Sequence, residues 1–208
     1  MIHLLILFFA TFSAAFMATV PPGLLNMNAA KVSVKKGKLN GIIFSLGISS
    51  TIMVQAVIAV WISKFLHNNP QVSELLLKIA VLVFAGLAVY FFITARRNRQ
   101  DEVRLVKVSK KNSFFKGMGL ATLNLLTIPY YSGLNVMWKT TGLIKFEIWD
   151  IMTFVLAAGC GTFTVLYMYT VYFNKLDAKT QRFSKNSNYI LSILMVVLLT
   201  ITLVRIFN

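Results

Sequence analysis

Apolar residues along this chain fall into blocks of about twenty, the length of helix that crosses a hydrocarbon core roughly 30 Å thick. The blocks predict spans at Ile2–Ala30, Leu39–Ser63, Leu75–Thr94, Gly117–Trp138, Ile148–Phe173 and Tyr189–Phe207. In lipid the backbone must satisfy its own hydrogen bonds, which a helix does within one segment. The expected fold class is therefore an all-α integral membrane protein with six transmembrane helices, residues 1–208 forming a single membrane domain.

Composition agrees with the pattern. With 57% hydrophobic residues, 13% charged residues and a mean hydropathy of +0.73, the chain lacks the polar residues that would coat a soluble domain. The net charge of +15 would suit a nucleic-acid binder, but its placement excludes that partner. Most of the 21 Lys and Arg lie in three connections: Lys31, Lys35, Lys36 and Lys38; Arg96 to Lys116; and Lys175, Lys179, Arg182 and Lys185. The alternate connections are nearly balanced, with Lys64 and Lys78 against Glu74, and Lys139 and Lys145 against Glu147 and Asp150. Short basic loops remain in the cytoplasm. This topology expects a multi-pass protein of a bacterial-type inner membrane, with both termini outside the cytoplasm. Ile2–Val20 has the apolar core of a signal peptide but no basic leader, and it runs into Pro21-Pro22-Gly23, so it reads as a retained span.

The long basic loop, residues 96–112, divides the chain into halves of about 1–95 and 113–208. Three spans per half is an odd number, so the halves enter the membrane from opposite sides, as the inverted repeats of secondary transporters do. In the first half Pro21, Pro22 and Gly23 interrupt the opening span; in the second, Pro129 interrupts the fourth. Asn28 follows Pro22 by six residues and Asn135 follows Pro129 by six. Broken helices free backbone carbonyls, tolerated in a membrane only inside protein or along a wet cavity. A single kinked helix is explained by packing alone; two matched breaks favour a solute pathway. Its candidate residues are Pro22, Gly23, Asn26, Asn28, Asn124, Pro129, Tyr130 and Asn135. Gln55 joins them as a primary amide in the middle of the second span.

The small residues of the second span (Ser45, Gly47, Ser49, Ser50, Thr51) and of the fifth (Ala157, Ala158, Gly159, Gly161, Thr162) read as helix-packing surfaces. The third and sixth spans are plain Leu, Val, Ile and Phe, suited to face lipid or a second copy in a homodimer. Cys160 is the only cysteine, and His3 and His67 stand apart at predicted outer ends, so neither a metal site nor a cofactor site is expected.

The run Val20-Pro21-Pro22-Gly23-Leu24-Leu25-Asn26, followed by a lysine-rich turn and Ser45-Leu46-Gly47-Ile48, resembles the LysE/RhtB family of amino-acid exporters. The resemblance is clear over residues 15–60 and weaker over 113–173. It implies export of a small amino acid or related metabolite driven by an ion gradient, with Pro22, Gly23, Asn124 and Pro129 as matching positions. The chain departs from the family in carrying Leu24 where a second motif proline is frequent, and Ile52 where an acid is frequent. Its Asn-Pro pair is stretched between Asn124 and Pro129.

No carboxylate lies in mid-span; Asp150, at the mouth of the fifth, comes nearest. With no fixed negative charge to meet a cationic side chain, neutral zwitterions fit better than lysine or arginine. An enzyme would need a nucleophile with a base, or metal ligands, on facing helices, and none is spaced for it. The competing readings are a cation or metal-ion exporter or channel, and a scaffold that transports nothing.

Overall fold

The computed structural model describes residues 2–21, 23–69, 71–72, 81–82, 85–86, 88–90, 92–93, 112–124 and 126–207, with side chains after Tyr172 described at only a few positions. The described residues form helices joined by short turns. These are α1 (Ile2–Thr19), α2 (Leu24–Lys36), α3 (Lys38–Asn68), α4 (Ser113–Thr122), α5 (Thr127–Thr140) and α6 (Ile148–Phe207). Contacts divide the chain into two units: Met1–Phe65 with Leu105–Leu176, and Leu66–Arg104 with Asp177–Asn208. In the second unit the described residues between 71 and 93 are helical, and Ile193 and Val196 are exposed. The candidate residues all belong to the first unit.

Helix α1 ends where the sequence forces it to. Val20 N–H still bonds Phe16 O at 3.0 Å, but a residue before proline avoids helical torsions and the prolines have no N–H to continue the ladder. Gly23, in extended conformation, then caps α2 through its carbonyl, which accepts from Met27 N–H at 3.0 Å. Helix α2 closes on Gly37, whose φ of 91° suits glycine, and α3 starts at the next residue. Gly41 lies so close to Ser33 that a methyl group there would collide with its Cβ, which sets the tightness of the α2–α3 turn.

The core of this unit is a stripe on α3 (Phe44, Ile48, Ile52, Ala56, Ala59 and Val60) at the three- and four-residue spacing of one helix face. Leu7 and Ala15 of α1, Leu120 of α4, Tyr131 of α5, and Phe154 and Leu166 of α6 close around it. Outward faces carry Leu5, Phe9, Trp61, Phe65 and Trp149 in the open, an inside-out pattern suited to lipid. Three described segments are long and apolar enough to cross a membrane: Ile2–Thr19, Lys38–Asn68 and Ile148–Tyr172.

Parallel neighbours are legible from their bonds. Along α1 and α6, His3 pairs with Asp150, Gly161 packs against Phe12 and Ala15, and Tyr169 reaches Val20. Along α3 and α4–α5, Gly47 packs on Phe114, Gly117 on Phe44, Gln55 meets the end of α4, and Ser63 meets Ser132. The two glycines are reciprocal: a Cβ on either would strike a main-chain carbonyl of the other helix. Packing is thus what the small residues of the second span serve.

Two expectations need correction. The basic stretch 175–185, read as a connection, is helical, so the fifth and sixth predicted spans lie on the one helix α6. No Pro or Gly occurs in residues 175–185, where Lys, Leu, Ala, Gln and Arg are good helix formers. The first predicted span, Ile2–Ala30, is not one kinked rod either. Helix α1 alone has 18 residues, about 27 Å at 1.5 Å per residue. Tyr169 bonds Val20 at the end of α1, while the next residue, Thr170, accepts from Ser33 near the end of α2. Both ends of the 20–33 segment therefore stand at one level of α6, and α2 turns aside rather than extending α1.

Candidate substrate pathway

At the first break three successive carbonyls lose their helical partners, and side chains take all three. Asn26, buried at 3% exposure, donates from Nδ2 to Thr19 O at 2.5 Å and Pro21 O at 2.9 Å. Tyr169 of α6 donates to Val20 O at 2.8 Å, and its hydroxyl also lies in hydrogen-bonding reach of the Asn26 amide. Gly23 is exposed at the start of α2, and Pro22 lies outside the described residues.

The second break falls between the helix end at Thr122 and the helix start at Thr127, upstream of the proline that announced it. Pro129 is the third residue of α5, exposed, in the first turn where no intrahelical N–H is needed. It therefore starts a helix and does not break one. The opening is held from α3: Gln55 donates from Nε2 to Ala121 O at 3.3 Å and Asn124 O at 3.4 Å. One turn earlier Thr51 donates to Met118 O at 3.4 Å. Asn124 is half-buried, with its carbonyl engaged by Gln55 and by Thr127 N–H.

Asn28 and Asn135, matched by their spacing from the prolines, also match in geometry. Each is buried and donates to the carbonyl four residues back: Asn28 to Leu24 O at 2.7 Å and Asn135 to Tyr131 O at 2.8 Å. Tyr130 is 39% exposed and donates to Ala14 O at 2.9 Å, tying α5 to α1. Trp138 repeats that tie to Thr11 Oγ1 at 3.1 Å.

The expected freed carbonyls facing a wet chamber are therefore replaced by something else. Thr19 O and Pro21 O are sealed by Asn26 of α2 and Val20 O by Tyr169 of α6, while Gln55 of α3 seals Ala121 O and Asn124 O at the second break. Among the described residues the buried side-chain acceptors left without a partner are Gln55 Oε1, Asn135 Oδ1 and Ser49 Oγ. The two amide orientations follow from their surroundings. Each nitrogen faces carbonyl oxygens, which only an N–H can satisfy, so each amide oxygen points the other way.

Sequence reasoning missed Tyr169, Trp138 and the pairing of His3, which is not isolated: its Nε2 stands 2.9 Å from Asp150 Oδ1. All three act across more than a hundred residues of chain, where local spacing gives no signal. Among the described residues no three His, Cys, Asp or Glu side chains come together as a metal site.

Span-length apolar helices with apolar outer faces define an α-helical membrane protein. The chain belongs to the LysE type translocator family, whose model matches residues 6–205. Neither the curated proteins nor the solved structures give a match to it.

Proposed function

We propose that the protein exports a small zwitterion, an amino acid or a related metabolite, across a bacterial cytoplasmic membrane as a secondary transporter. The observation that carries this reading is the pair of buried amide oxygens, Gln55 Oε1 and Asn135 Oδ1, left open once each nitrogen is committed to the backbone. An acceptor without a partner in a dry interior is costly, and a substrate ammonium answers it with a charge-assisted bond. The partner carboxylate is served by the first-turn N–H groups of α2, whose cap Gly23 offers no side-chain bond and where the helix dipole is positive. Amide oxygens carry no full charge, which favours neutral zwitterions over lysine or arginine.

The bond between His3 and Asp150 supports the topology read from charge, because it places the starts of α1 and α6 at the same end of the bundle. With the basic α2–α3 turn at the other end, the N-terminal end of α1 lies outside the cytoplasm in this reading. The cation-exporter reading gains nothing here, since Asp150 is already engaged by His3 and by Lys145 N–H.

Cells lacking the protein, fed dipeptides, test the reading. They are expected to accumulate free neutral amino acids, and the intact gene is expected to restore release. Asn28→Leu is expected to lower release at unchanged membrane abundance. Equal intracellular pools with and without the protein, across a panel of dipeptides, would overturn it.

A further inference from the structure

One acid–base pair plays no part in the pathway. Asp150 is the third residue of α6 and is 1% exposed, yet it is the acid of the first unit that burial should penalise most. Its two oxygens are separately held: Oδ1 by His3 Nε2 at 2.9 Å and Oδ2 by Lys145 N–H at 2.6 Å. His3 is 40% exposed, so the pair joins a buried carboxylate to an imidazole open to the surroundings.

The position of the pair gives it leverage. Helices α1 and α6 run parallel and are fastened at three levels. The middle fastening is backbone against glycine, at Gly161 with Phe12 and Ala15. The far fastening, Tyr169 to Val20, is a neutral hydroxyl on a carbonyl. Only the near fastening, His3 with Asp150, joins a base to an acid. It closes the start of α1 onto the start of α6 and, through Lys145 N–H, onto the α5–α6 connection as well.

We propose that His3 and Asp150 form a proton-operated clasp between α1 and α6. A proton from the surrounding water adds to imidazole Nδ1 while Nε2–H stays on the carboxylate, turning a neutral-donor bond into an imidazolium–carboxylate pair. Loss of that proton returns the neutral imidazole. The imidazolium sets a full positive charge against the carboxylate where the neutral ring sets only a dipole, so acid tightens the clasp and alkali loosens it. His3 is the only titratable side chain of α1. Of the charged groups on the elements packed around it, Lys145 and Glu147 of the connection are exposed and Lys139 of α5 stands 5.5 Å over the Phe146 ring. On α3, Lys64 and His67 are exposed near its C-terminal end. None of these charged side-chain groups is among the bonds that Asp150 makes, Lys145 reaching it through its backbone N–H alone. Imidazole is the side chain whose charge changes in the neutral range.

The test is amide hydrogen exchange on the full-length protein in lipid nanodiscs at about pH 5.5 and about pH 8, with the chemical exchange rate divided out. Amides of residues 6–11, the first of α1 with helical partners, are expected to be about fivefold more protected at the acid pH, the factor that roughly 1 kcal/mol supplies. His3→Gln is expected to abolish the difference and leave the alkaline level of protection at both pH values. His67→Gln is expected to keep the wild-type response. Equal wild-type protection at both pH values would overturn the clasp, as would a response that survives His3→Gln or disappears with His67→Gln. Because nothing in the experiment requires transport, its failure and a failure of the export reading are separately visible.

Discussion

Replacing Gln55 by methionine separates the pathway reading from simple packing. The side chain keeps its length but loses both the Nε2 donor and the open Oε1. Two carbonyls, Ala121 O and Asn124 O, then lose a bond each. Those bonds are 3.3 and 3.4 Å, at the long end of the range, so the smaller of the measured values applies. Interhelical bonds in membranes average about 0.6 kcal/mol, giving roughly 1 kcal/mol for the pair. Against this, methionine removes the buried unpartnered Oε1, a relief of about 1 kcal/mol at the low end of the penalty for such groups. The net change in stability is therefore expected to stay within about 1 kcal/mol. The loss to a bound ammonium is larger, since a hydrogen bond to a charged group contributes about 1.5–3 kcal/mol, or roughly a 10- to 100-fold change in apparent affinity. The assay is release of amino acids from dipeptide-fed cells at low internal concentration, normalised to folded protein by detergent thermal melts. Wild-type release from a well-folded Gln55→Met protein would refute the assignment, and a collapse of the fold would refute the arithmetic.

Asn135→Leu is expected to leave the melting temperature equal or higher, because it deletes a fully buried acceptor that lacks a partner, while release falls; a stability loss beyond about 2 kcal/mol would mean that Asn135 is structural. Gly47→Ala and Gly117→Ala are each expected to destabilise by about 1–3 kcal/mol in thermal melts, since each Cβ meets a main-chain carbonyl that has no room to move. Gly119→Ala and Gly133→Ala, with nothing within 4 Å of the added carbon, are expected to be neutral or to stabilise by up to about 1 kcal/mol. Tyr169→Phe leaves Val20 O without its donor and is expected to lower stability by about 1 kcal/mol, an effect absent from Tyr172→Phe on the same helix.

Much of the protein was legible before any coordinates. Span-length apolar blocks, the first break at Val20–Gly23 and the small residues of α3 follow from periodicity, proline chemistry and side-chain size. Gln55 was visible as an amide where lipid tolerates none unpaired. The second break was misplaced for a definite reason. Proline is the breaker that a sequence displays, but Pro129 sits where a helix accepts it, and the stretch between Thr122 and Thr127, where the helices part, contains neither Pro nor Gly. It is kept open by Gln55 from another helix, a tertiary cause. The continuity of α6 through the basic stretch 175–185 was missed because charge was read as the end of a helix, although nothing in those residues ends one. The bonds of His3, Trp138 and Tyr169 depend on how distant helices meet, and no local pattern encodes that.

The sealing of Thr19 O, Val20 O and Pro21 O by Asn26 and Tyr169 bears on what the protein does between substrates. Exposed peptide oxygens inside a bilayer recruit water, and a file of water conducts protons. An idle carrier with such a file would drain the gradient its cell depends on. With side chains already seated on these oxygens, the break offers water three fewer acceptors on which such a file could form while the carrier rests.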